Sequence, residues 1–467
     1  MKLSYLCVEY SRGIFKSCRS ADILEKAPIN DTFAPIYCES RLTKQSRTEK
    51  GRYSVKKVKF IHAADLHLDS PFKGMELNVP FFIWERMKES TFRSFLRIVD
   101  KAIQEQVDFV LLAGDLYDAE TRSLRAQVFV REQMKRLAQY DIPVYVIHGN
   151  HDHLGGSWAA IEFPSNVHVF TEPYIEEKSF YKDEELLASI YGFSYQQQAV
   201  TDNMTAQYKK MTGAPFHIGM LHGSVEGDSD HNRYAPFQIR ELKEKGFDYW
   251  ALGHIHKREV LAEEPCIVYS GNIQGRHRKE TGEKGAYVVS LSSQGTELTF
   301  FSTNDVIWDE ISIPIDELET VDDLIHACTE SMNGVRREEE GLLVTMTFTG
   351  QSALASYLRD EKRVEEILQI VSSGEERSNF VYVVKWKNET ISFAEIEKLK
   401  NENHFIGNVL QELESFSSMD EVLRTIWTSP VARKVLHSFS EEEKKEIQKS
   451  AENIILEQLL EQERSKA

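Results

Sequence analysis

Five short polar segments, each directly after a predicted strand, constrain this chain more than any other feature. The strands are apolar runs such as VKFIHAA (58–64), VDFVLLA (107–113) and IPVYVI (142–147). Short, continuous runs rich in Val, Ile and aromatic residues are typical of strands buried on both faces of a sheet. The segments that follow are Asp65-Leu66-His67, Gly114-Asp115-Leu116-Tyr117-Asp118, Gly149-Asn150-His151-Asp152, Leu221-His222-Gly223 and Gly253-His254-Ile255-His256.

Helical patterns separate the first three strands. Apolar residues recur at spacings of three and four through 84–104 and 122–139, which predicts two amphipathic helices. This alternation favours an α/β fold with a mainly parallel sheet. Ligands of such sheets bind beyond the carboxyl ends of the strands, so we expect the five segments to converge on one crevice. Three further strands, over 266–271, 285–291 and 297–302, are expected to form a second sheet layer.

The five segments carry side chains that bind metal ions. Asp65 and His67 alternate along an extended chain and so project in the same direction. A carboxylate at Asp115 can bridge two cations, one through each oxygen. Carboxylate, amide and imidazole groups together suit Mn, Fe or Zn better than Ca. The sequence therefore predicts a centre of two divalent cations, of the kind that hydrolyses phosphodiesters. Its predicted ligands are Asp65, His67, Asp115, Asn150, His222, His254 and His256.

His151 and Asp152 stand beside the predicted ligand Asn150. A histidine next to a bound phosphate can protonate a leaving alkoxide, and a neighbouring carboxylate can hold its tautomer. We therefore predict that His151 is the catalytic acid and that Asp152 orients it. The alternative is that His151 is a further ligand, or a phosphate contact without proton transfer. Asp118 is predicted to support the ligands without binding a metal itself.

A basic stretch with several glycines follows the last segment. Glycine lets the backbone approach a phosphate closely, and arginine can grip a phosphate with two hydrogen bonds. We predict that this stretch contacts the DNA backbone, and the alternative is an ordinary solvated hairpin. Its basic residues are Arg276, Arg278, Lys279 and Lys284.

Together, the set D-x-H, G-D-x-x-D, G-N-H-D, a single His and G-H-x-H resembles the calcineurin-like metallophosphoesterase superfamily. The stretches IHAADLHLDSPFKG, GHIHKREV and GNIQGRHRKETGEKGAY look most like SbcD-type DNA repair exonucleases of the YhaO-like branch. The resemblance covers residues 56–300 closely and the next domain loosely. Members of the family often have Gly after D-x-H-L, where this chain has Asp69, so the loop that faces the phosphate differs.

The resemblance implies a two-sheet sandwich flanked by helices, followed by a small α+β cap domain and a helical C-terminal region. It implies His151 as the catalytic acid and manganese as the metal. It further implies DNA as the substrate, an ABC-type coiled-coil ATPase as a partner, and a homodimer. One cation would be held by Asp65, His67, Asp115 and His256, and the other by Asp115, Asn150, His222 and His254.

Charge and composition bear on these predictions. The formal net charge is −18, which disfavours tight DNA binding because such binding usually rests on Lys and Arg. Acidic residues concentrate away from the motifs, in 338–340 and 441–463. No apolar run approaches the roughly eighteen residues of a membrane span. Five cysteines, only two of them beyond residue 38, indicate no disulfide framework. We therefore expect a cytoplasmic protein without membrane segments.

Four regions are expected along the chain: an extension (1–54), the catalytic domain (55–305), an α+β cap domain (306–390) and a helical C-terminal region (391–467). Lys50-Gly51-Arg52 can be encoded as a purine-rich ribosome-binding sequence before Val55, so the hypothesis is that translation begins at Val55; a disordered extension is the alternative. Ser392-x-x-Glu395 and Ser440-x-x-Glu443 have the form of capping boxes. An apolar stripe runs from Ile447 to Leu459. We expect it to pack on its own domain, and the alternative is that it binds a partner.

Three functions follow from these observations. The leading hypothesis is a two-metal-dependent DNA exonuclease that acts in repair or recombination. The runner-up is a metal-dependent phosphatase or small-nucleotide phosphodiesterase on the same core. The third is a non-hydrolysing adaptor that docks an ATPase. Adaptors of this kind tend to lose metal ligands, whereas this chain keeps all of them.

Overall fold

The computed structural model describes residues 56–72, 79–118, 123–156, 159, 161–227, 234–392 and 405–415, with a few short stretches between 422 and 455. These residues lie in one unit, Val55–Ala467. Its strands are β1 (Lys57–Ala63), β2 (Phe109–Ala113), β3 (Val144–Ile147), β4 (Val167–Val169), β5 (Glu176–Lys182), β6 (Glu185–Gly192), β7 (Phe216–His222), β8 (Tyr249–Gly253), β9 (Glu259–Ala262), β10 (Cys266–Tyr269), β11 (Gly285–Ser292), β12 (Gly295–Ser302), β13 (Val306–Pro314), β14 (Gly341–Thr349) and β15 (Val381–Asn388). Its helices are α1 (Phe81–Gln104), α2 (Leu124–Ala138), α3 (Ile239–Glu244), α4 (Val321–Val335), α5 (Leu354–Tyr357), α6 (Glu361–Val371) and α7 (Phe405–Ser415).

Two six-stranded sheets form the sandwich. The first has the order β12-β11-β1-β2-β3-β4 and the second β5-β6-β7-β8-β10-β9. β1 to β4 are parallel to one another, as are β6, β7, β8 and β10. The α/β sandwich that the sequence predicted is therefore confirmed. All five strands that precede a polar segment belong to these parallel blocks, three in the first sheet and two in the second.

The prediction that 285–291 and 297–302 join the second sheet is wrong. β11 pairs antiparallel with β1, and β12 pairs antiparallel with β11, so both extend the first sheet. Residues of β11 face both sides in alternation: Ala286 and Val288 enter the core under the helices, whereas Val289 and Leu291 enter the core between the sheets. A strand buried on both faces carries no sign of which sheet it joins.

Burial explains the positions of the two long helices. α1 and α2 lie on the outer face of the first sheet, where Phe95, Ile98 and Val130 pack against strand residues such as Val110. A second core lies between the sheets and contains Phe60, Phe109 and Met220. The observed helix bounds agree closely with the predicted 84–104 and 122–139. The two helices thus cover the outer face of the first sheet.

The cap unit, residues 306–390, has a three-stranded sheet in the order β13-β14-β15. All three strands are parallel, because a helix returns the chain to the same end after each strand. The cap unit packs on α1 through a separate apolar cluster that includes Ile83, Met87, Trp308 and Phe380. The cap unit therefore packs against the same helix that covers the first sheet.

Most of the region 391–467 lies outside the described residues, as do the extension 1–54 and the capping box at Ser392-x-x-Glu395. The second capping box is present: Glu443 N–H donates to Ser440 Oγ at 3.2 Å, and Ser440 N–H donates to Glu443 Oε2 at 2.7 Å. Among the described helices, none combines the length and the apolar character that crossing a membrane would need.

Candidate metal centre

The ends of β1, β2 and β8 are joined by backbone and carboxylate hydrogen bonds. Asp65 N–H donates to Gly114 O at 3.1 Å, and His67 N–H donates to Asp115 O at 3.0 Å, so pairing continues past the first two strands. From the second sheet, His254 N–H contacts both carboxylate oxygens of Asp65, at 3.1 and 3.0 Å. The two sheets therefore meet at the place where the polar segments begin.

Four of the predicted ligands lie in the left-handed region of backbone space. Asp65, His67, Asp115 and His254 have φ values of 53°, 42°, 53° and 94°. Residues other than glycine rarely adopt this conformation, and it persists where the surrounding structure enforces it, often at functional sites. The clustering of these residues at the strand ends marks this edge of the sandwich as the functional one.

Asp69 explains the departure of the first motif from the usual pattern. Its φ is 60°, so the position needs the conformation that glycine adopts most readily and aspartate tolerates. Its carboxylate accepts a hydrogen bond from Ser123 Oγ at 2.5 Å, at the start of α2. Asp69 is therefore a structural replacement for glycine that ties the first motif to α2.

Side-chain atoms of the five segments converge as metal ligands do. His222 Nε2 lies 3.4 Å from Asp115 Oδ2, and His67 Nε2 lies 3.8 Å from the same oxygen. His67 Nε2 is also 3.0 Å from His256 Nε2. Asp115 therefore lies between two groups of ligands, as expected for a bridging carboxylate. Donor atoms within 4.8 Å of one another form three sets among the described residues: Asp65, His67 and His256; Asp65, Asp115 and His222; and His67, Asp118 and His151.

Asn150 and His254 complete the cluster. Asn150 Oδ1 lies 3.1 Å from His222 Nε2. The His254 and His222 rings pack edge to face, with centroids 5.3 Å apart. All seven predicted ligands, from five segments and both sheets, are thus brought together.

The hydrogen bonding of His222 tests whether these residues suit a cation. Its Nδ1 lies 3.0 Å from the Ala113 carbonyl oxygen, so Nδ1 carries the proton and donates. In the neutral ring that a metal ligand requires, the Nε2 lone pair would face two further acceptors, Asn150 Oδ1 and Asp115 Oδ2. Acceptors that face one another in a buried site need a positive charge among them; a proton on Nε2 can supply it, and a divalent cation can take the place of that proton. The donor set therefore fits a metal.

The pKa values of the buried groups show how strongly the site draws positive charge. Burial opposes ionisation of Asp115, but the neighbouring imidazoles, His222 foremost, hold its pKa well below the usual range. Burial also disfavours a charged His222, yet Asp115 and Asp65 raise its pKa to about 9. Burial raises the pKa of Asp65 to about 6. Asp115 therefore remains a carboxylate at neutral pH.

Two motif glycines are required because ligand side chains occupy the space that a Cβ would need. A Cβ on Gly149 would lie 2.4 Å from Asp115 Oδ1 and 2.6 Å from His222 Nε2. A Cβ on Gly114, whose φ is 93°, would lie 2.3 Å from His222 Nδ1. These distances are far shorter than van der Waals contact. The glycines of G-D and G-N-H-D therefore let ligands from three strands pack together.

His151 stands at the rim of the ligand cluster, with 35% of its side chain exposed. Its ring packs edge to face on that of His67, with centroids 4.9 Å apart. Its Nδ1 lies 3.9 Å from Asp118 Oδ1. Arg276 Nη2 and Ser70 Oγ donate to the other oxygen of Asp118, at 2.7 and 3.0 Å. Asp118 thus contacts residues on the His151 side of the site. Its predicted role as a support that binds no metal stays a prediction, because its carboxylate also lies within 4.8 Å of donor atoms of His67 and His151.

Asp152 does not orient His151, contrary to the prediction. Its Oδ1 accepts a hydrogen bond from Gly149 N–H at 2.6 Å, and its Oδ2 accepts one from Leu116 N–H at 2.9 Å. His148 Nδ1 also lies 2.9 Å from Oδ2. Because the G-N-H-D turn sends neighbouring side chains in different directions, Asp152 points into the protein and fastens two motif turns together.

Glu280 is a functional residue that the sequence did not indicate. Its Oε1 lies 2.6 Å from His256 Nδ1, and contact with His256 outweighs burial to lower the pKa of Glu280 to about 2. A carboxylate bound to the far nitrogen of a metal-binding imidazole fixes the ring and raises its basicity. No local pattern reveals this role, because Glu280 ends a basic stretch 24 residues from His256.

The four basic residues predicted to contact DNA have different surroundings. Arg276 is held by Asp118, and Lys284 is only 9% exposed, so that burial lowers its pKa. Arg278 and Lys279 are exposed. Two of the four residues are therefore part of the site's own structure. A cavity of about 800 Å³ opens over the ligands and is lined by, among others, His151, Tyr234, Lys257, Lys279 and Lys284.

His62 joins the two sheets within the core. Its Nδ1 lies 2.9 Å from the Tyr249 hydroxyl oxygen, and its Nε2 lies 3.2 Å from the Leu252 carbonyl oxygen. Burial lowers its pKa to about 3, against the opposing effect of the Leu252 carbonyl. His62 is therefore neutral in the folded protein and fastens β1 to β8.

Comparisons with known proteins agree with this geometry. Residues 58–258 match the family model described as calcineurin-like phosphoesterase, and residues 308–391 match the middle domain of the metallophosphoesterase YhaO. The uncharacterized metallophosphoesterase YhaO of Bacillus subtilis (strain 168) is 43% identical over 402 residues, which cover 86% of this chain and 97% of the relative. A dimetal phosphatase from Danio rerio matches 54% of this chain and all of its own, at 10% identity and a TM-score of 0.30, a similarity too low to add to the argument.

Proposed function

Because the chain belongs to the calcineurin-like phosphoesterase family and is a metallophosphoesterase, we propose that it hydrolyses phosphodiester bonds at the ends of DNA, as a nuclease of repair or recombination. The observation that carries the proposal is the convergence of all seven predicted ligands at five strand ends, with His151 in the lining of the cavity. An adaptor that had lost hydrolysis would have no need to keep that set.

The residues of the chain divide the work of hydrolysis. Two bound cations would activate the phosphate and a water molecule as Lewis acids. Asp115, between His67 and His222, keeps the negative charge that holds them. His151 gives a proton to the departing sugar oxygen, a step worth about 10²–10⁴ in rate. Asp118, near His151 Nδ1, steadies the ring for that transfer.

Two lysines support a nucleic-acid substrate. Lys257 and Lys279 are exposed and line the cavity that holds His151, and exposed Arg278 precedes Lys279 in the chain. Cations in the site would add local positive charge to a chain whose formal net charge is −18. These basic side chains and the bound cations would attract the phosphates of a DNA end to the cavity over the ligands.

The metal, the partners and the compartment are further parts of the proposal. The mixed nitrogen and oxygen donors suit Mn²⁺, which we propose as the metal. The resemblance of the motifs to those of SbcD-type exonucleases supports an ABC-type coiled-coil ATPase as a partner and a homodimer as the assembly. Buried free thiols at Cys266 and Cys328 are compatible with a cytoplasmic location.

A metal-dependent phosphatase or small-nucleotide phosphodiesterase is the second candidate. Two of the four basic residues predicted to contact DNA are not free to do so. Arg276 forms an ion pair with Asp118, and Lys284 is buried. The acidic net charge weighs in the same direction. A cavity of about 800 Å³ is large enough for a nucleotide. Under this alternative the metal centre and His151 keep the same roles.

The first experiment offers the protein two phosphodiesters. End-labelled linear duplex DNA and bis-p-nitrophenyl phosphate are incubated with the wild type in Mn²⁺ and in EDTA, alongside His151→Ala and the control His326→Ala. His326 is exposed on α4 in the cap unit. We expect Mn²⁺-dependent loss of nucleotides from DNA ends, reduced about 10²–10⁴-fold in His151→Ala and unchanged in His326→Ala.

The outcomes separate the candidates. Cleavage of the small diester without attack on DNA would favour the phosphatase or small-nucleotide enzyme. Turnover in His151→Ala equal to that of the wild type would remove the acid role. An absence of any metal-dependent hydrolysis, with Mn²⁺ still bound, would favour the adaptor.

A further inference from the structure

The cap unit packs against the loop that carries Glu280 and forms hydrogen bonds with it. This segment, the site loop (residues 270–284), connects β10 to β11 and runs beside β13, the first strand of the cap unit. Trp308 in β13 is 3% exposed. Its Nε1–H donates to Gly275 O at 3.1 Å, and its own carbonyl oxygen accepts from Gly282 N–H at 2.9 Å. One residue of the cap unit thus holds both sides of the turn that contains Glu280.

The approach of Trp308 to the site loop is close. A Cβ on Gly275 would lie 2.9 Å from Trp308 Cδ1 and 2.9 Å from Glu280 O. The ring therefore packs directly on the backbone of Gly275, with no side chain between. A shift of Trp308 cannot be absorbed by a flexible side chain of the loop, so it moves the loop backbone itself.

A second clamp lies at the start of the same turn. Gln274 is 1% exposed, and its Oε1 accepts hydrogen bonds from Asp305 N–H at 2.9 Å and Val306 N–H at 3.3 Å. Its Nε2 donates to Val306 O at 2.5 Å. The buried amide of Gln274 is therefore fixed to Asp305 and to Val306, the first residue of β13, which places Gly275 against Trp308.

The carboxylate of Glu280 connects the site loop to His256. Its Oε2 accepts from Arg276 N–H at 2.6 Å and from Asn272 Nδ2 at 3.0 Å, while its Oε1 contacts His256 Nδ1 at 2.6 Å. Oε2 thus contacts the loop alone, whereas Oε1 contacts the His256 imidazole and, at 3.4 Å, Nε2 of His277 in the loop. The site loop determines where Glu280 stands, and Glu280 determines how the His256 ring is aimed.

We propose that Trp308 is a positioning residue through which the cap unit sets the metal site formed by Asp65, His67 and His256. Its effect passes through the site loop and Glu280 to one imidazole. The ligands on the other side, His222 and Asn150, are held by Ala113 O and by each other, without a contact to the site loop among the described hydrogen bonds. A disturbance of Trp308 therefore weakens one metal site and spares the other. This proposal rests on the metal centre and holds whichever phosphodiester is the substrate.

The test measures metal binding rather than activity. Full-length wild type, Trp308→Phe, Glu280→Gln and the double variant are titrated with Mn²⁺ by calorimetry, with electron paramagnetic resonance to count bound ions. Trp308→Phe keeps an aromatic ring but removes the N–H that binds Gly275 O. We expect one of two sites to weaken about 10- to 100-fold, as is typical when a partner of a metal ligand is lost. The other site stays within about threefold.

Two comparisons show whether Trp308 acts through Glu280 and which metal site it affects. Because Trp308 acts through Glu280, the double variant should bind Mn²⁺ no more weakly than Glu280→Gln alone. The site left in Trp308→Phe should match the one left in His256→Ala and differ from the one left in His222→Ala. Trp386→Phe, the same change in β15 of the cap unit, should bind both ions as the wild type does.

The proposal would be overturned by equal weakening of both sites, by unchanged binding, or by additive losses in the double variant. Gly275→Ala provides a second perturbation if Trp308→Phe does not fold. Its new Cβ pushes the loop from Trp308 without removing an apolar side chain, and it should weaken the same single site. Unchanged Mn²⁺ binding in a folded Gly275→Ala protein would equally overturn the proposal.

Discussion

Asp152 offers a sharp test of the structure, because sequence and geometry assign it different roles. Its carboxylate accepts hydrogen bonds from Gly149 N–H and Leu116 N–H and contacts His148 Nδ1, all buried. In Asp152→Ala these three donors would lose their acceptor inside the protein. If Asp152 instead oriented His151, the change would impair catalysis and leave folding almost untouched.

The expected cost follows from the three donors. A buried donor left without a partner costs about 1–3 kcal/mol, so Asp152→Ala should lose about 5 kcal/mol of unfolding free energy. In a domain of this size about 2–4 °C of Tm corresponds to each kcal/mol, which predicts a fall of about 10–20 °C. The measurement is thermal and urea unfolding in EDTA, so that metal binding does not contribute to stability.

His151→Ala is the matched neighbour for this experiment. Its side chain is partly exposed at the rim, so its Tm in EDTA should stay within about 2 °C of the wild type. A Tm of Asp152→Ala within that same range, together with a loss of turnover as large as that of His151→Ala, would refute the structural role. It would restore the orienting role that the sequence suggested.

Two further predictions concern the glycine contact and the buried histidine. Gly149→Ala should weaken Mn²⁺ binding at least about tenfold in calorimetry while costing about 1–3 kcal/mol of stability, because its Cβ collides with Asp115 and His222; wild-type affinity would show that the ligands can retreat. His62 has its pKa lowered from 6.5 to about 3, so the unfolded chain takes up a proton first as the pH falls below 6.5. In EDTA the wild type should therefore lose about 2 kcal/mol relative to His62→Gln between pH 6.5 and about pH 5, measured by urea unfolding; parallel pH profiles of the two proteins would contradict this.

The sequence predicted which side chains would cluster, because their positions follow from strand geometry. Each ligand stands at or just beyond the end of a strand, and parallel strands bring such ends to one edge. Apolar runs reveal where the strands end, so Asp65, Asp115 and Asn150 could be placed without coordinates. His222 and His254 followed by the same rule, although their strands belong to the second sheet.

Contacts that join distant segments were beyond sequence reasoning. Two strands and most of a loop separate Glu280 from His256 in the chain, and no pattern in the basic stretch distinguishes one carboxylate as the partner of a histidine. The direction of Asp152 depends on the turn angles of G-N-H-D, which two adjacent letters do not reveal. The placement of β11 and β12 depends on which strand offers a free edge, and both available sheets suited their apolar patterns.

Because the predicted ligands come from both sheets, bound cations would connect the two sheets to each other. Asp65, His67, Asp115 and Asn150 come from the first sheet, whereas His222, His254 and His256 come from the second. Cations bound among them tie together segments that lie up to 191 residues apart in the chain, from Asp65 to His256. In secreted proteins such distant segments are commonly stapled by disulfides, but the described cysteines here are free and buried. Cations bound at this centre would therefore crosslink the two sheets, and a chelator would remove that crosslink.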